Sequence, residues 1–446
     1  MTTPVDLLIK PQWLLPIVPR AAVLEDHALA VRAGEIVAVG PVAQLERTLD
    51  PAETLALPNQ VLMPGLVNAH THSAMSLLRG VGDDLPLEEW LNERMWPVEG
   101  ALADADFVGL GTDLALAEMI RGGITCANDM YFFPDVAARR ALANGFRMAV
   151  GMIVVDFPTR WATTSDEYFQ RGLAVHDEFR RESLITTMLA AHAPYTVGDE
   201  NLSRIRTLSN QMDLKVHIHL HETAVEIENS RRDLGLRPFD RVRKLGLVNE
   251  NLLAVHMTQL EPNEIAACAE AGVSVLHCPE SNLKLASGLC PVEALRQAGV
   301  NVALGTDGAA SNNDLDMFGE LRTAALVGKV AAASAVAVPA WYALEMATIN
   351  GAIALGLEEQ IGSLEVGKRA DLISFAMEGP ELMPLFDVVS QLVYAGNRRQ
   401  VRHVWVDGAP LLADGSLTRV DLPALKSRVE ATSLTIQTIL DQEQPK

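Results

Sequence analysis

Cysteine is scarce: the 446-residue chain has four, and no two of them form a Cys-x-x-Cys pair. This pattern excludes the disulfide framework of a small secreted domain and the usual thiolate zinc site. The four positions are Cys126, Cys268, Cys278 and Cys290. We therefore expect a protein of a reducing compartment, and specifically a cytoplasmic one.

Basic residues are few relative to acidic ones, with 36 Lys and Arg against 57 Asp and Glu and a net charge of −21 at pH 7. Binding to nucleic acid or to an anionic membrane surface needs a basic surface. Both kinds of partner are therefore disfavoured, and a small-molecule ligand is favoured. A homo-oligomer is compatible with the sequence.

A long uninterrupted apolar run is missing. The N-terminal segment is broken by a lysine and several prolines, which is not typical of a signal peptide. The most apolar long segment, Val330 to Met346, contains Pro339 and Glu345 and predicts buried helices rather than a membrane span. No Gly-x-Gly-x-x-Gly turn follows the first predicted barrel strand, which argues against a dinucleotide-binding fold.

Eight short apolar runs in the middle of the chain end in polar residues, and a helical pattern follows each of them. They are VLMPGLVNAHTH, GITCANDM, RMAVGMIVVD, TTMLAAHAPY, KVHIHLHE, LLAVHMTQL, VSVLHCPES and NVALGTDGA. Eight buried strands that alternate with helices are typical of a (β/α)8 barrel. The sequence therefore predicts an α/β protein with a TIM-type barrel, and a doubly wound open sheet is the alternative.

Strand-like patterns return at both ends of the chain. AVRAGEIVAVGP near the N-terminus alternates and turns on glycine, and GSLEVGKRADLISF near the C-terminus has the same character. We expect residues 1–58 and 365–446 to combine into one small β-sandwich domain, and residues 59–364 to form the barrel. The final segment LPALKSRVEATSLTIQTILDQ predicts a closing amphipathic helix.

Eight of the 11 histidines lie at or near the ends of the eight runs. They are His70, His72, His192, His217, His219, His221, His256 and His277. In a barrel, the carboxyl ends of the strands form the active-site face. Neutral imidazoles gathered there with carboxylates can bind a divalent metal ion, so the pattern predicts a metal site.

His70 and His72 end the first run two residues apart, so their side chains point to the same side of the strand. A lone His-x-His pair is weak evidence, but here it joins the histidines of the fifth run and Asp307 after the eighth. Three imidazoles and one carboxylate leave a position open for water, as catalytic zinc sites do. We expect Zn²⁺, with Fe²⁺ or Mn²⁺ as alternatives.

The fourth run ends with His192 and has no lysine that could bridge two metal ions, which favours one metal per subunit. His192 could also cap the end of its strand. In the fifth run, VHIHLHET, alternation places His217, His219 and His221 on one face at different depths. Alternation alone does not choose between His219 and His221 as the ligand.

Four segments, PGLVNAHTHSAMSLLRG, HIHLHET, HCPESNLKLASG and GTDGAASNNDLDMF, resemble the amidohydrolase superfamily. More narrowly, they are similar to the 5-methylthioadenosine/S-adenosylhomocysteine deaminases, and the resemblance covers almost the whole chain. It implies that the metal ligands are His70, His72, His219 and Asp307. The family's motif has the spacing His-x-x-Glu. His219, and not His221, matches this motif because His219 lies three residues before Glu222. His221 is then expected to lie beside the site.

The resemblance also implies an activity, that of a zinc-dependent adenosine-type deaminase, a hydrolase that acts on the C–N bonds of cyclic amidines. It would convert 5′-methylthioadenosine, S-adenosylhomocysteine or adenosine to the inosine analogue and ammonia. Hydroxide supplied by the metal would attack adenine C6, Glu222 would protonate ring N1, and Asp307 would accept the water's proton. His256 would orient or polarise that water. Glu99 would accept hydrogen bonds from the ribose hydroxyls, and His192 would also touch the nucleoside.

Simpler interpretations exist for several of these residues. Glu222 could cap the following helix, and Glu99 could be an acidic residue of a helix first turn. Arg160 could pair with the carboxylate of a homocysteine tail, but an ordinary surface arginine is at least as well supported. His217 and His277 are expected to be buried supporting groups.

Other functions remain open. The nearest is another deaminase of the superfamily that acts on guanine, 8-oxoguanine or a triazine. Glu222 favours deamination because protonating a ring nitrogen needs an acid there, and Glu99 favours a nucleoside because a free base has no ribose. A non-catalytic barrel scaffold is less favoured because all four ligands are present, and an amide-ring hydrolase would usually need the bridging lysine.

Overall fold

The eight predicted runs form one parallel sheet in the computed structural model, which describes residues 2–443. In chain order the strands are Leu66–Thr71, Ile124–Asp129, Arg147–Val154, Ile185–Ala191, Val216–Leu220, Leu252–His256, Ser274–His277 and Asn301–Leu304. Each strand pairs with its neighbours in the chain. The eighth returns to the first, where the Asp307 N–H donates to the His70 carbonyl at 3.0 Å. The predicted barrel is therefore confirmed, and the open-sheet alternative is excluded.

Helices separate the barrel strands and begin with polar caps where the sequence offers them. The side chain of Asp104, for example, accepts the N–H groups of Asp106 and Phe107. The α-helices are Val42–Thr48, Leu87–Trp90, Trp96–Leu102, Ala105–Arg121, Pro134–Asn144, Ser165–Phe179, Asp199–Met212, Ala224–Leu234, Pro238–Lys244, Pro262–Ala271, Pro279–Lys284, Val292–Gln297, Ala309–Asn312, Met317–Ala331, Ala340–Met346, Ile349–Leu355, Val388–Tyr394 and Leu422–Glu443. Three short 3₁₀ helices span Ser73–Leu78, Pro380–Leu382 and Arg398–Gln400, and a π-helical turn spans Leu91–Met95.

A second sheet of nine strands is built from both ends of the chain. Its strands are Thr3–Leu14, Leu24–Glu25, His27–Arg32, Glu35–Pro41 and Leu49–Pro64, followed much later by Leu372–Ala376, Val401–Val406, Ala409–Ala413 and Ser416–Leu417. Leu49–Pro64 pairs in parallel with Thr3–Leu14 and antiparallel with Leu372–Ala376. The two ends of the chain therefore meet in one small β domain, as predicted.

The domain boundaries at residues 58 and 365 stay predictions. The strand Leu49–Pro64 crosses residue 58 and reaches the first barrel strand with only Gly65 between them. The C-terminal part also contains more than sheet, because the expected closing helix spans Leu422–Glu443. That helix buries Leu425 and Ile436 in a cluster with residues of the barrel region, so it extends over the barrel.

No helix among residues 2–443 combines the length and the apolar character that crossing a membrane requires. The apolar segment Val330 to Met346 instead contains the end of the helix Met317–Ala331, a turn, and the helix Ala340–Met346. Residues of both helices contribute to the main hydrophobic core. The sequence prediction of helices at this place is confirmed.

A buried ion pair joins the two domains. Arg147 begins the third barrel strand and is 2% exposed. Its Nε lies 2.8 Å from Oδ2 of Asp371, and its Nη2 lies 2.6 Å from Oδ1 of Asp407. Asp371 directly precedes the strand Leu372–Ala376 of the small sheet, and its own side chain is 2% exposed. The guanidinium therefore holds the base of the barrel to the small sheet.

We expect the substitution Arg147→Met to lower the free energy of unfolding by about 3–5 kcal/mol, because it leaves the Asp371 carboxylate buried without its cation. Urea unfolding followed by circular dichroism measures this loss. Arg171→Met is the matched control, since it removes a half-exposed arginine paired with Glu167 and should cost less than about 1 kcal/mol. Equal losses in the two variants would contradict a special role for the buried pair.

Candidate active site

Four side chains from three barrel strands meet at the carboxyl ends of the strands. His70, His72, His219 and Asp307 each offer one ligand atom, and these atoms all lie within 4.8 Å of one another. We call these four residues the ligand cluster. Nε2 of His70 lies 3.2 Å from Nε2 of His219, and Oδ1 of Asp307 lies 3.2 Å from Nε2 of both His70 and His72.

The hydrogen bonds at Nδ1 of His72 and His219 determine which nitrogen of each ring faces the ligand cluster. Nδ1 of His72 faces the Met130 carbonyl at 2.5 Å, and Nδ1 of His219 faces the His192 carbonyl at 2.7 Å. A carbonyl oxygen only accepts, so both Nδ1 atoms carry a proton, and in the neutral rings that bind a metal both Nε2 atoms present bare lone pairs. Lone pairs that face each other and a carboxylate need a shared positive charge. The cluster therefore fits one divalent metal ion with a position left open.

His217 supports the cluster from below. Its Nε2 lies 2.8 Å from Nδ1 of His70, and its Nδ1 lies 3.3 Å from Nδ2 of Asn128. The ring is fully buried, and burial lowers the pKa of His217 well below its usual value. His277 is also buried but does not line the cavity. Both residues behave as the buried groups that the sequence predicted.

The position expected for His221 is wrong. The fifth strand ends at Leu220, and His221 adopts a left-handed backbone conformation with φ of 53°. This turn carries the side chain away from the cavity, where its Nε2 accepts the N–H of Phe239 at 3.0 Å. Alternation requires extended backbone, so it fails at the first residue beyond the strand. His219 is therefore the ligand of this run on geometric grounds as well.

Asp307 is held in place by donors on both oxygens. Its Oδ2 accepts the hydroxyls of Ser281 and Ser311 at 2.7 and 2.8 Å, and its Oδ1 accepts the Gly308 N–H at 2.8 Å. These contacts fix the carboxylate against the histidines. Next to this site, Asn312 donates to the Thr306 carbonyl at 2.7 Å.

Glu222 and His256 lie next to each other at the edge of the ligand cluster. Oε1 of Glu222 is 3.8 Å from Nε2 of His256, and both side chains line the cavity. Nδ1 of His256 faces Oδ1 of Asn282 at 2.8 Å, so it carries the proton and leaves Nε2 free to accept. Burial raises the pKa of Glu222, with Asp307 adding to the rise, while His256 lowers it. A carboxyl group with a raised pKa and an acceptor nitrogen therefore face the same space.

The alternative for Glu222, a helix cap, does not describe its side chain. The cap of the following helix is Thr223, whose hydroxyl accepts the Glu226 N–H at 3.1 Å. Glu226 in turn accepts the Glu222 N–H at 2.7 Å. The backbone of Glu222 belongs to the cap, and its carboxyl group is left for the cavity.

Glu99 and His192 both line the cavity, and the ring of His192 lies 5.1 Å from the ring of His219 in the ligand cluster. Glu99 is in the short helix Trp96–Leu102 and accepts the hydroxyl of Tyr131 at 2.6 Å. Burial raises the pKa of Glu99 to about 7, although the bond from Tyr131 lowers it. Nδ1 of His192 lies 3.0 Å from the hydroxyl of Thr196, so this ring both caps its strand end and lines the cavity.

Arg160 lies at the rim and is already engaged. Its Nη1 donates to the Ala101 carbonyl at 2.8 Å, and its Nη2 lies 3.3 Å from Oδ2 of Asp104. The side chain is 43% exposed, so it can exchange these partners for a ligand at small cost. Arg160 is exposed, whereas the residues of the ligand cluster, Glu222 and His256 are largely buried.

The cavity that joins these groups has a volume of about 1390 Å³. Its floor is formed by the ligand cluster apart from His70, with Glu222, His192 and His256 beside it. Its walls include Met75, Met130, Trp96, Phe157 and Tyr195. A polar floor beneath aromatic and sulfur-containing walls suits a flat heterocycle with an apolar substituent.

The sequence missed four supporting residues, namely Tyr131, Asn282, Ser281 and Ser311. Each makes a hydrogen bond to one of the groups that line the floor or wall, at the distances given above. Ser281 and Asn282 lie within the quoted segment HCPESNLKLASG, and Ser311 lies within GTDGAASNNDLDMF. The signal was therefore present as polar residues after strand ends, but their partners could not be read from it.

Comparison with known proteins adds independent evidence. The amidohydrolase family model matches residues 61–411. A 5-methylthioadenosine/S-adenosylhomocysteine deaminase of Saccharophagus degradans is 45% identical over 435 residues, which are 98% of this chain and 98% of that protein. The corresponding deaminase of Teredinibacter turnerae is 49% identical over 417 residues, 94% of each chain. An adenosine deaminase from Xanthomonas campestris, crystallised with bound zinc, has a TM-score of 0.97 and 53% identity, with coverage of 98% of this chain and 100% of that one.

A barrel that carries three histidines, one aspartate and an open position at its carboxyl-end mouth defines a metal-dependent hydrolase. The glutamate beside the cluster adds a buried carboxyl group to that description. The chain belongs to the amidohydrolase family, as its motifs indicated.

Paired substitutions test which histidine of VHIHLHET holds the metal. We expect His219→Leu to abolish stoichiometric metal binding, because it removes a ligand atom. His221→Leu should keep the metal and lower the stability by about 1–3 kcal/mol, because it leaves the Phe239 N–H buried without an acceptor. Elemental analysis of purified protein and thermal unfolding measure the two effects. Loss of metal in His221→Leu with retention in His219→Leu would reverse the assignment.

Proposed function

We propose that the protein is a zinc-dependent deaminase of 5′-substituted adenosines. It converts 5′-methylthioadenosine, S-adenosylhomocysteine or adenosine to the inosine analogue and ammonia. The observation that carries the proposal is the pair formed by Glu222 and His256 beside the ligand cluster, 3.8 Å apart and facing one cavity. The full-length relatives named for this activity support it.

Zinc is the proposed metal because the Xanthomonas campestris structure contains it and because three imidazoles with one carboxylate suit it. The four residues of the ligand cluster would hold it. A bound divalent cation lowers the pKa of coordinated water and so supplies a nucleophile near neutral pH.

Glu222 supplies the acid of the reaction. Attack of water at C6 pushes electrons onto ring N1, and a proton delivered to N1 prevents charge from building up there. The raised pKa of Glu222 keeps its carboxyl group protonated at higher pH than an exposed glutamate would be. A group with this environment can give up a proton to N1 and later carry one to the departing ammonia.

Asp307 and His256 act on the water. Asp307 accepts the proton that the water loses, and Nε2 of His256 accepts a hydrogen bond that orients the oxygen toward C6. The Asn282 contact supports this role because it fixes the acceptor nitrogen toward the cavity. Two carboxyl groups thus serve opposite purposes, since burial raises the pKa of Glu222 while the neighbouring imidazoles of His70 and His72 hold the pKa of Asp307 well below its usual value despite burial.

Glu99, His192 and Arg160 would hold the rest of the nucleoside. One oxygen of the Glu99 carboxylate is left for the ribose hydroxyls, and His192 lines the same cavity. The cavity continues past them to a rim with Phe157 and Trp96, which can pack against a thioether substituent. Arg160 at this rim is placed to meet a carboxylate on a longer substituent.

The other functions considered fit less well. Guanine and 8-oxoguanine lack the ribose that Glu99 would hold, and they would leave much of a cavity of about 1390 Å³ unfilled. A triazine has no hydroxyl for Glu99 either. A scaffold without activity has no use for convergent metal ligands beside an acid of raised pKa.

We also infer a cytoplasmic location, which the four buried and unpaired cysteines support. A homo-oligomer stays a prediction.

A substrate panel tests the proposed function. We expect ammonia release from 5′-methylthioadenosine and S-adenosylhomocysteine with kcat/KM at least about tenfold above that for adenosine, because each added contact of the substituent contributes on the order of 1–2 kcal/mol. Guanine, 8-oxoguanine and a chlorinated triazine should release no ammonia or chloride above background. Turnover of guanine alone would reject the nucleoside assignment, and absence of bound metal in active protein would reject the mechanism.

The substitution Glu222→Gln tests the acid. Because glutamine is isosteric but cannot donate a proton to N1 in the same way, we expect kcat to fall about 10²- to 10⁴-fold while zinc content and substrate affinity persist. Steady-state kinetics, elemental analysis and calorimetric titration measure the three quantities. Glu89→Gln, an exposed change in a neighbouring helix, is the control. Turnover within a few-fold of the unaltered enzyme would remove Glu222 from the proton transfer.

A further inference from the structure

Tyr131 connects the metal site to the wall of the cavity. Its ring is 5% exposed and packs 5.2 Å from the ring of Phe132. Its hydroxyl donates to Oε1 of Glu99 at 2.6 Å. Among the described residues, no other side chain or backbone group makes a hydrogen bond with the carboxylate of Glu99.

The residue before Tyr131 has an equally specific task. The carbonyl of Met130 accepts a hydrogen bond from Nδ1 of His72 at 2.5 Å. Met130 and Tyr131 directly follow the second barrel strand, which ends at Asp129. Two consecutive residues on a rigid strand end therefore hold a metal ligand on one side and Glu99 on the other. This arrangement fixes the distance between the reacting end of the cavity and the place where a sugar would lie.

Glu99 needs such support because it does not lie on a barrel strand. The helix Trp96–Leu102 continues the helical segment that begins at Leu87 and passes through the π-helical turn Leu91–Met95. A carboxylate on such an element has several rotamers, and an uncommitted one loses conformational entropy when it binds a ligand. The bond from Tyr131 fixes one rotamer, occupies Oε1 and leaves Oε2 for a ligand. It also favours the ionised carboxylate, which accepts two hydrogen bonds better than a neutral acid.

We propose that Tyr131 is the specificity-determining residue that makes the cavity select nucleosides with an intact 2′,3′-diol, by holding Glu99 ready to accept both hydroxyls. The inference rests on the proposed function, because it assumes that Glu99 meets the ribose. Tyr131 itself is a positioning residue, since it acts on the substrate only through Glu99. The Tyr131 hydroxyl thus allows the enzyme to discriminate ribonucleosides from nucleosides that lack the diol.

The test compares Tyr131→Phe with the unaltered protein on two substrates, 5′-methylthioadenosine and its 2′,3′-dideoxy analogue. Phenylalanine keeps the buried ring and removes only the donor. We expect KM for the diol substrate to rise about 10- to 100-fold, as loss of a hydrogen bond to a charged group does. Because the contacts with the diol are equally strong in the ground state and the transition state, kcat should change less than about threefold. For the dideoxy analogue, both constants should stay within about twofold of the unaltered enzyme.

Two further variants sharpen the comparison. Tyr342→Phe removes the hydroxyl of another buried tyrosine outside the cavity and should change neither constant. In a Glu99→Gln background, Tyr131→Phe should raise KM for 5′-methylthioadenosine by less than about a further threefold, because the group that Tyr131 positions is already altered. Zinc content should be equal in all variants.

The outcomes separate the inference from the function on which it rests. If the unaltered enzyme deaminates 5′-methylthioadenosine but Tyr131→Phe raises KM equally for both substrates, the inference is overturned and the function stands. A loss confined to kcat, or loss of zinc from Tyr131→Phe, overturns it as well, because Tyr131 would then serve the metal site. If the unaltered enzyme deaminates no adenosine nucleoside, the proposed function fails and this inference fails with it.

Discussion

Three imidazole nitrogens and a carboxylate oxygen point at one place, and without a positive charge between them their lone pairs would repel. The barrel enforces this arrangement through its own backbone. Carbonyl groups at the ends of neighbouring strands accept hydrogen bonds from Nδ1 of His72 and His219, and so orient the other nitrogen of each ring toward the cluster. The hydrogen bond that returns the eighth strand to the first brings Asp307 beside His70. Folding the barrel and assembling the site therefore use the same hydrogen bonds.

Much of this could be predicted from sequence because the relevant signals are local. Strand ends are visible as changes from apolar to polar residues, and parallel strands bring all such ends to one face. His70 and His72 are two residues apart on one strand, so a spacing rule suffices for them. Asp307 needed the additional knowledge that the eighth strand lies beside the first, which follows from the barrel topology alone.

The rest depended on backbone conformations and on distant partners. His221 was misplaced because alternation says nothing about where a strand stops, and a left-handed residue redirects the side chain. The partners of Tyr131 and Asn282 could not be read from the sequence, since Glu99 and His256 lie 32 and 26 positions away in the chain. A hydrogen bond between residues so far apart has no sequence spacing that reveals it.

The site also divides its tasks between rigid and irregular parts of the chain. The groups assigned to bond making and breaking come from barrel strand ends, whose positions the sheet fixes. The groups assigned to recognition of the sugar and substituent, Glu99 and Arg160 among them, come from short helices and loops around the mouth. Such a division lets relatives of one fold act on different substrates while the metal site stays the same.

The ion pair at the base of the barrel has a consequence for how the chain folds during synthesis. Arg147 is made early, but its partners Asp371 and Asp407 follow 224 and 260 residues later. A ribosome that has completed the eighth barrel strand has still not produced the acids that neutralise a guanidinium destined for the interior. The ion pair between the barrel and the small sheet can therefore form only after most of the C-terminal strands have been synthesised, so this contact is made late whatever the order in which the barrel strands pair.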